Sequence, residues 1–470
     1  MLFNSFIFLI FGALFFLIWS FVRKKQKPRW ITLVVSSFIF YGWWDWRFLF
    51  LIIASGLIDF FAGIKMKSNP QKKNLYLILS LLGNIGSLAI FKYSSFIASN
   101  LDFLMSLIGI ETGLQYNIPD FVLILPVGIS FYTFQSMSYS IDVYKGKLEP
   151  VRNIFHFFSY LALFPQLVAG PIVRARDLLG RLASYTAPSE DKRWEGLRMI
   201  AYGFFMKVVI ADNLAPIVNH GFESPVMLES SLYWWYITTL FAFQIYYDFA
   251  GYSQIARGLM TWLGYDIARN FNHPYTAVSL KDFWNRWHIS LSSWFRDYLY
   301  IPLGGSKGGI VWGHIAMWIT MLVSGLWHGA AWNFVIWGAI HAFFLSLERV
   351  SKYPDFLNKS IPGNILSRAL IILQVWIAWV FFRSVSFDQA TDILRMMFSV
   401  KTAQWNFTFD HGFFLVLAIA PEIIYPVLKK SQLRNQVFKY RIAEAIWMAL
   451  VIAACIFLRG PGSEFIYFQF

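Results

Sequence analysis

SGLWHGAAWNFVIWG, residues 324–338, sets one imidazole, His328, in a run that otherwise suits a membrane interior. Apolar stretches at 310–327 and 332–348 flank it. Both outer ends carry charge, with Lys307 before the pair and Arg349 and Lys352 after it. Two apolar runs with their charges at one end predict a helical hairpin that enters the membrane from the cytoplasmic side, with His328 near its deep tip. A titratable ring held in hydrocarbon is costly, which makes His328 a functional-site candidate. A second histidine lies in FWNRWHISLSSWFRDYLYIPLGG (283–305). There His288 has more polar company: Asn285, Arg286, Ser290, Ser292, Ser293, Arg296 and Asp297.

Outward from these stretches the chain keeps the same character. Of 470 residues 57% are hydrophobic and 14% are charged, against roughly 25% charged in soluble domains. The apolar runs are continuous and do not alternate at period two. The expectation is an all-α, polytopic integral membrane protein and not an outer-membrane barrel. The 49 Phe, 23 Tyr and 21 Trp suit a lipid-facing surface with aromatic belts. The formal charge of +14 gathers in short loops, which points to topology and away from nucleic acid. The lone cysteine, Cys455, forms no intramolecular disulfide and no cysteine-based zinc site.

The start of the chain reads as a retained first span with an external N-terminus, since its positive charges follow its apolar run. The loop Arg23–Arg29 carries five basic residues and no acid, and marks the inside. Residues 30–64 suit two passes around Trp43-Trp44-Asp45-Trp46-Arg47, an outer interface. Further runs lie near 75–91, 95–109, 119–140, 154–171, 194–215, 231–249, 366–382, 411–428 and 443–458. The loop bearing Lys429, Lys430, Arg434, Lys439 and Arg441 returns to the inside. Residues 250–309 hold no 18-residue apolar run and interleave Arg and Lys with Trp and Tyr. They predict short amphipathic or re-entrant helices on the cytoplasmic face. The expected total is about eleven to thirteen transmembrane or re-entrant helices in a single integral domain over 1–470, with its motifs between about 120 and 350.

His328 has two readings: a general base that accepts a hydroxyl proton, or a histidine hydrogen-bonded between helices. The polar set around His288 could meet an anionic or nucleotide-bearing donor, or lipid headgroups at an interface. The run Gly304–Gly309 lacks the phosphate-loop spacing and predicts a tight turn. Asp248 is expected to pair with a nearby arginine or to shape a cavity. His156, His220, His273, His314 and His411 suit loop or interface positions. No GxSxG elbow supports serine hydrolysis. His328 and His341 are thirteen apart without a close partner, so a metal site is not expected.

Five blocks carry a resemblance. They are LPVGISFYTFQSMSYSIDVY (125–144), FPQLVAGPI (164–172), YYDFAGYSQIARGL (246–259), FWNRWHISLSSWFRDYLYIPLGG (283–305) and GLWHGAAWNFVIWGAIHA (325–342), with the ending FIYFQF (465–470) beside them. The chain resembles the membrane-bound O-acyltransferases, most of all the bacterial branch that O-acetylates alginate and peptidoglycan. Teichoic-acid D-alanyl transferases are more distant. The resemblance implies a ring of tilted helices around a funnel or tunnel in the bacterial inner membrane. It implies catalytic roles for His328 and His288. From the residues themselves, Asn285, Arg286, Arg296 and Asp297 suit contact with the donor, and Trp327 or Asn333 suits the oxyanion. The resemblance implies a thioester donor drawn from the cytoplasm; the expected donor is acetyl-CoA, with no bound cofactor. It also implies a polysaccharide acceptor, membrane lipid around the helices, and an extracytoplasmic SGNH-type partner that completes the transfer. A transporter of acetyl groups or lipids, or a scaffold without chemistry of its own, are the rival readings.

Overall fold

Long apolar runs leave the backbone one way to satisfy its hydrogen bonds in lipid, and that is the helix. The computed structural model describes residues 1–167, 170–226, 229–402, 409–430 and 441–468, and it contains helices and no strand among them. Six helical stretches of the described residues are long and apolar enough to cross a membrane: Gln26–Ser68, Pro70–Phe91, Glu190–Glu223, Gly305–His328, Trp332–Ser351 and Ile361–Arg383. Phe6–Val22, Gly412–Ile424 and Ala443–Phe457 are shorter apolar helices. The protein is an all-α, polytopic membrane protein. Of the residues read above, Val168, Ala169, Arg434, Lys439, Gln469 and Phe470 lie outside the described set, as do the side chains of His411, Lys429, Lys430 and Arg441.

The chain forms two compact units. One comprises Met1–Leu197 with Ile255–Ala268. Its first helix, Phe6–Val22, is capped by Ser5, whose hydroxyl accepts from Phe8 N at 3.2 Å. Phe8, Phe11, Phe15 and Trp19 recur at helical spacing and form its buried stripe. Phe11 and Phe15 meet Phe164 edge-on at 5.2 and 5.0 Å between ring centroids. The opposite face (Phe6, Leu9, Leu14, Leu17, Phe21) is exposed and apolar, as a face toward lipid requires. Asp59, fully buried on Leu49–Ser68, is satisfied by side chains of two further helices. Asn84 Nδ2 donates at 2.8 Å, Ser140 Oγ at 2.9 Å, and Ser80 and Ser136 also donate. Polar groups of this kind hold helices together where the hydrophobic effect cannot. Gly63 lets Tyr139 approach, for a Cβ there would stand 2.7 Å from the tyrosine hydroxyl. Two apolar runs are not single passes. The 119–140 run breaks at Pro126–Gly128, where Gly128 takes φ +73°, and a helix starts afresh at Ile129–Tyr144. The 154–171 run gives, among its described residues, two short helices, Ile154–Leu161 and Phe164–Leu167.

The other unit comprises Arg198–Gln254 with Arg269–Phe470. Its hairpin matches the sequence reading: helices Gly309–His328 and Trp332–Ser351 are joined by three residues, with His328 at the tip. Glycines set the close approach. A Cβ at Gly325 would overlap the Phe334 carbonyl oxygen, and one at Gly338 the Met321 carbonyl oxygen. The Gly304–Gly309 run is the tight turn that leads into this hairpin, with Gly304, Gly305 and Gly309 at positive φ. Between 280 and 300 lie only short helices, Leu280–Trp284, Ile289–Phe295 and a π-helical turn Arg296–Tyr300.

That irregular segment does not begin at 250. One helix runs unbroken from Ser231 to Trp262. Asp248 lies within it and pairs with a lysine, not an arginine. Lys207 Nζ lies 2.7 Å from Asp248 Oδ1 and 2.9 Å from Asp212 Oδ1, and all three side chains are buried. The polarity belongs to the interior. Lys207 sits in a π-helical turn, Phe205–Ala211, inside the helical stretch Glu190–Glu223; such turns are frequent at functional sites.

Candidate active site

The helix Gly309–His328 ends on the imidazole it presents. His328 is 4% exposed, and four rings enclose it. Trp327 lies at 4.9 Å between centroids, Trp337 at 5.0 Å, Phe382 at 5.4 Å and Tyr467 at 5.6 Å. They come from the hairpin, from the helix Ile361–Arg383 and from the C-terminal segment.

His288 stands one ring away. Its backbone is left-handed, φ +40°, just before the helix Ile289–Phe295. A non-glycine residue holds that conformation at a cost of order 1 kcal/mol, and such strain concentrates at functional sites. Asn270 fixes the turn: its carbonyl accepts from Ile289 N at 2.9 Å and its Oδ1 from Ser290 N at 3.3 Å. Asn270 Nδ2 in turn donates to Ser253 Oγ at 3.1 Å. The fully buried imidazole meets Phe249 at 4.6 Å, Trp327 at 6.1 Å and Tyr467 at 6.4 Å. Trp327 and Tyr467 therefore touch both histidines.

Burial pushes the His288 pKa from 6.5 down to about 3, so the folded protein keeps this ring neutral. The unfolded chain takes up that proton near pH 6.5 and the folded chain does not. The stability it contributes is present above 6.5 and is lost as pH falls toward 3, at up to about 1.4 kcal/mol per pH unit. Thermal unfolding in detergent between about pH 7 and about pH 4 should show this acid-side slope, reduced in His288→Gln. An equal slope in the variant would refute a neutral, buried His288.

The segments that carry the two histidines line a cavity of about 290 Å³, through Ile289 and Ser324 and not through the imidazoles. Lys281, Asn285, Ser292, Ser293 and Arg296 line its polar part, and Trp284, Met317, Met321 and Leu345 its apolar part. Ser324 also lines it, one helical turn before His328. Of the residues singled out in the sequence, His328, His288 and Trp327 come together, and Asn285 and Arg296 face the cavity. Arg286 is held elsewhere, donating to Asp282 Oδ1 at 2.8 Å and Thr276 Oγ1 at 3.3 Å. Asp297 accepts from Arg296 Nε at 2.8 Å. Asn333 donates to the Ser384 carbonyl at 2.8 Å and ties the hairpin tip to the end of the helix Ile361–Arg383.

Two contributors carry little sequence signal. Tyr467 is one, marked only by the ending FIYFQF. The other is the device that brings it in. Lys207 Nζ donates to the Ser463 carbonyl at 3.0 Å, Ser463 Oγ donates to Asp212 Oδ1 at 2.7 Å, and Ile466 N donates to Asp248 Oδ2 at 2.7 Å. A buried ion cluster thus straps the C-terminal segment beside the imidazoles.

Two buried imidazoles share aromatic walls, and a cavity lies one helical turn from one of them; in a polytopic membrane protein this arrangement suits acyl transfer. The chain belongs to the membrane-bound O-acyltransferase family, whose model matches residues 151–353. The protein named "Probable alginate O-acetylase AlgI" from Azotobacter vinelandii is 37% identical over 404 residues, 84% of this chain and 77% of that one. "Peptidoglycan O-acetyltransferase" from Helicobacter pylori is 32% identical, over 84% of this chain and 80% of its own. "Teichoic acid D-alanyltransferase" from Bacillus subtilis is 29% identical over 54% of this chain and 67% of its own.

Proposed function

We propose that this protein O-acetylates a cell-surface polysaccharide, alginate or peptidoglycan, with acetyl-CoA from the cytoplasm as donor. The observation that carries the reading is the enclosed His328, beside His288 and one turn from the cavity. The cavity suits the donor: Lys281 and Arg296 offer cations to its phosphates, and the apolar lining suits its thioester end. The acceptor hydroxyl enters from the outer side. His328 takes the hydroxyl proton as the oxygen attacks the acetyl carbonyl. The tetrahedral intermediate collapses with cleavage of the carbon–sulfur bond, and the imidazolium returns its proton to the thiolate. The products are an acetate ester and free CoA thiol. The Trp327 indole adjoins both imidazoles and carries an N–H that suits the developing oxyanion. His288 orients the group at the shared rings.

Acetyl transfer is favoured over D-alanyl transfer because the acetylase relatives align over 84% of the chain and the D-alanyl relative over 54%. The setting is the bacterial inner membrane, where the chain is multi-pass, and an SGNH-type extracytoplasmic partner completes delivery to polymer. Purified protein in proteoliposomes, given acetyl-CoA and an acceptor glycan, should release CoA thiol in step with ester formation. Acetyl groups that cross the membrane with no thioester cleavage would indicate a transporter instead.

A further inference from the structure

We propose that the charged end of the hairpin, on the face turned away from the cavity, binds one anionic phospholipid. An acyl chain lies in an apolar cleft, and the phosphate meets Arg349.

The helix Gly309–His328 has two working faces. Met317, Met321 and Ser324 line the cavity described above. Ile315, Ile319 and Leu322 each lie two residues earlier, about 200° round the helix, and line a separate cleft of about 500 Å³. Ile310, Val311 and Trp318 extend it, Val350 closes it from the other helix, and His314 is its titratable member. Ile310, Val311, Ile315, Ile319 and Val350 are exposed, as a surface toward lipid requires. From Ile310 to Leu322 the helix rises about 18 Å. That is a little over half of the roughly 30 Å hydrocarbon core, the depth one lipid chain reaches in its own leaflet.

A cation stands at the mouth of the cleft. A Cβ at Gly313 would lie 2.9 Å from Arg349 Nη2 and 3.0 Å from Nη1. The guanidinium therefore rests on this glycine, on the helical face that also carries Ile310 and His314. Arg349 has no hydrogen bond or ion pair from its side chain among the described residues. The nearby acceptors are taken. Glu348 accepts from Leu280 N at 2.6 Å and from Lys281 N at 3.2 Å. Ser346 Oγ accepts from Trp318 Nε1 at 3.0 Å and lies 3.3 Å from His314 Nδ1. Lys307 and Lys352 stand at the same end of the hairpin. A guanidinium fork at the edge of hydrocarbon, with no carboxylate to meet it, matches a phosphate. A zwitterionic lipid would bring its own ammonium into this cationic setting. An anionic headgroup does not, so the site selects the anionic lipid.

Native mass spectrometry of the detergent-solubilised protein, equilibrated with equal amounts of phosphatidylglycerol and phosphatidylcholine of the same chains, tests this. Wild-type protein should retain one phosphatidylglycerol in preference to phosphatidylcholine. Arg349→Gln should weaken that retention about tenfold or more, the worth of a hydrogen bond to a charged group. Ile319→Trp fills the cleft from a lipid-facing position and keeps the arginine, and it should weaken retention as well. Glycerol 1-phosphate, a headgroup without chains, should not displace the lipid. Equal retention of the two lipids, or a preference that survives both substitutions, would overturn the site. Displacement by glycerol 1-phosphate at matched concentration would show a site for free phosphate esters and would overturn the lipid as its occupant.

Discussion

His328→Gln and His328→Ala should both insert and fold, and both should lose acetyl transfer by a factor of about 10² to 10⁴, the range a positioned general base contributes. The expectation comes from the enclosure of the ring. Four aromatic side chains surround it and it is 4% exposed, so bulk water is poorly placed to replace the lost base. Gln keeps most of the side-chain volume and limits the cavity left in the ring cluster; Ala does not, and should also lower thermal stability by about 2 kcal/mol or more. Near-equal activity loss with unequal stability loss is therefore the signature of chemistry at His328. If loss of activity instead follows loss of stability across the two variants, the imidazole is structural. Ester formation on an acceptor glycan and unfolding temperature in detergent, measured on the same preparations, separate these outcomes.

Lys207→Met should have the second largest effect. It strands the carboxylates of Asp212 and Asp248 in a buried site, 0% and 2% exposed respectively. Removing one partner of a buried ion cluster costs about 3–5 kcal/mol. It also loosens the strap, since the Lys207 bond to the Ser463 carbonyl is lost and the carboxylates that hold Ser463 and Ile466 lose the cation that keeps them in place. Tyr467 would then leave the imidazoles, and transfer should fall with stability. A companion in which Asp212 and Asp248 are also changed to Asn removes the unpaired charge while keeping side-chain oxygens that accept from Ser463 and Ile466. It should recover most of the stability and part of the activity. A Lys207→Met protein with wild-type unfolding temperature and transfer would show that the cluster holds nothing the reaction needs.

Much of this arrangement is legible in the sequence. The hairpin and its histidine tip follow from two apolar runs with charge at one end, and the Gly304–Gly309 turn follows from composition. The break at Pro126–Gly128 and the early end at Leu161 do not, because an apolar run does not reveal where the backbone turns. The Lys207–Asp248 pair is hidden for a different reason. Polarity along one helix reads as exposure until its partner on another helix is known, and that pairing is a product of packing. The same holds for Arg286, Asp297 and Asn333. Their residue types suit ligand contact, yet Asp282, Arg296 and the Ser384 carbonyl occupy them. Asn285 and Arg296, drawn from the same polar stretch, do face the cavity. Residue type narrows the choice to a neighbourhood, and side-chain direction sorts its members.

The central claim is that an alcohol and a thioester meet at His328, each arriving from its own compartment. The direct measurement uses sealed proteoliposomes of uniform orientation, with isotopically labelled acetyl-CoA on the cytoplasmic face and an acceptor glycan on the other. The account predicts labelled acetate ester on the glycan side, one CoA thiol released per ester on the donor side, and neither product with His328→Gln. Labelled ester formed at the wild-type rate by His328→Gln would contradict it.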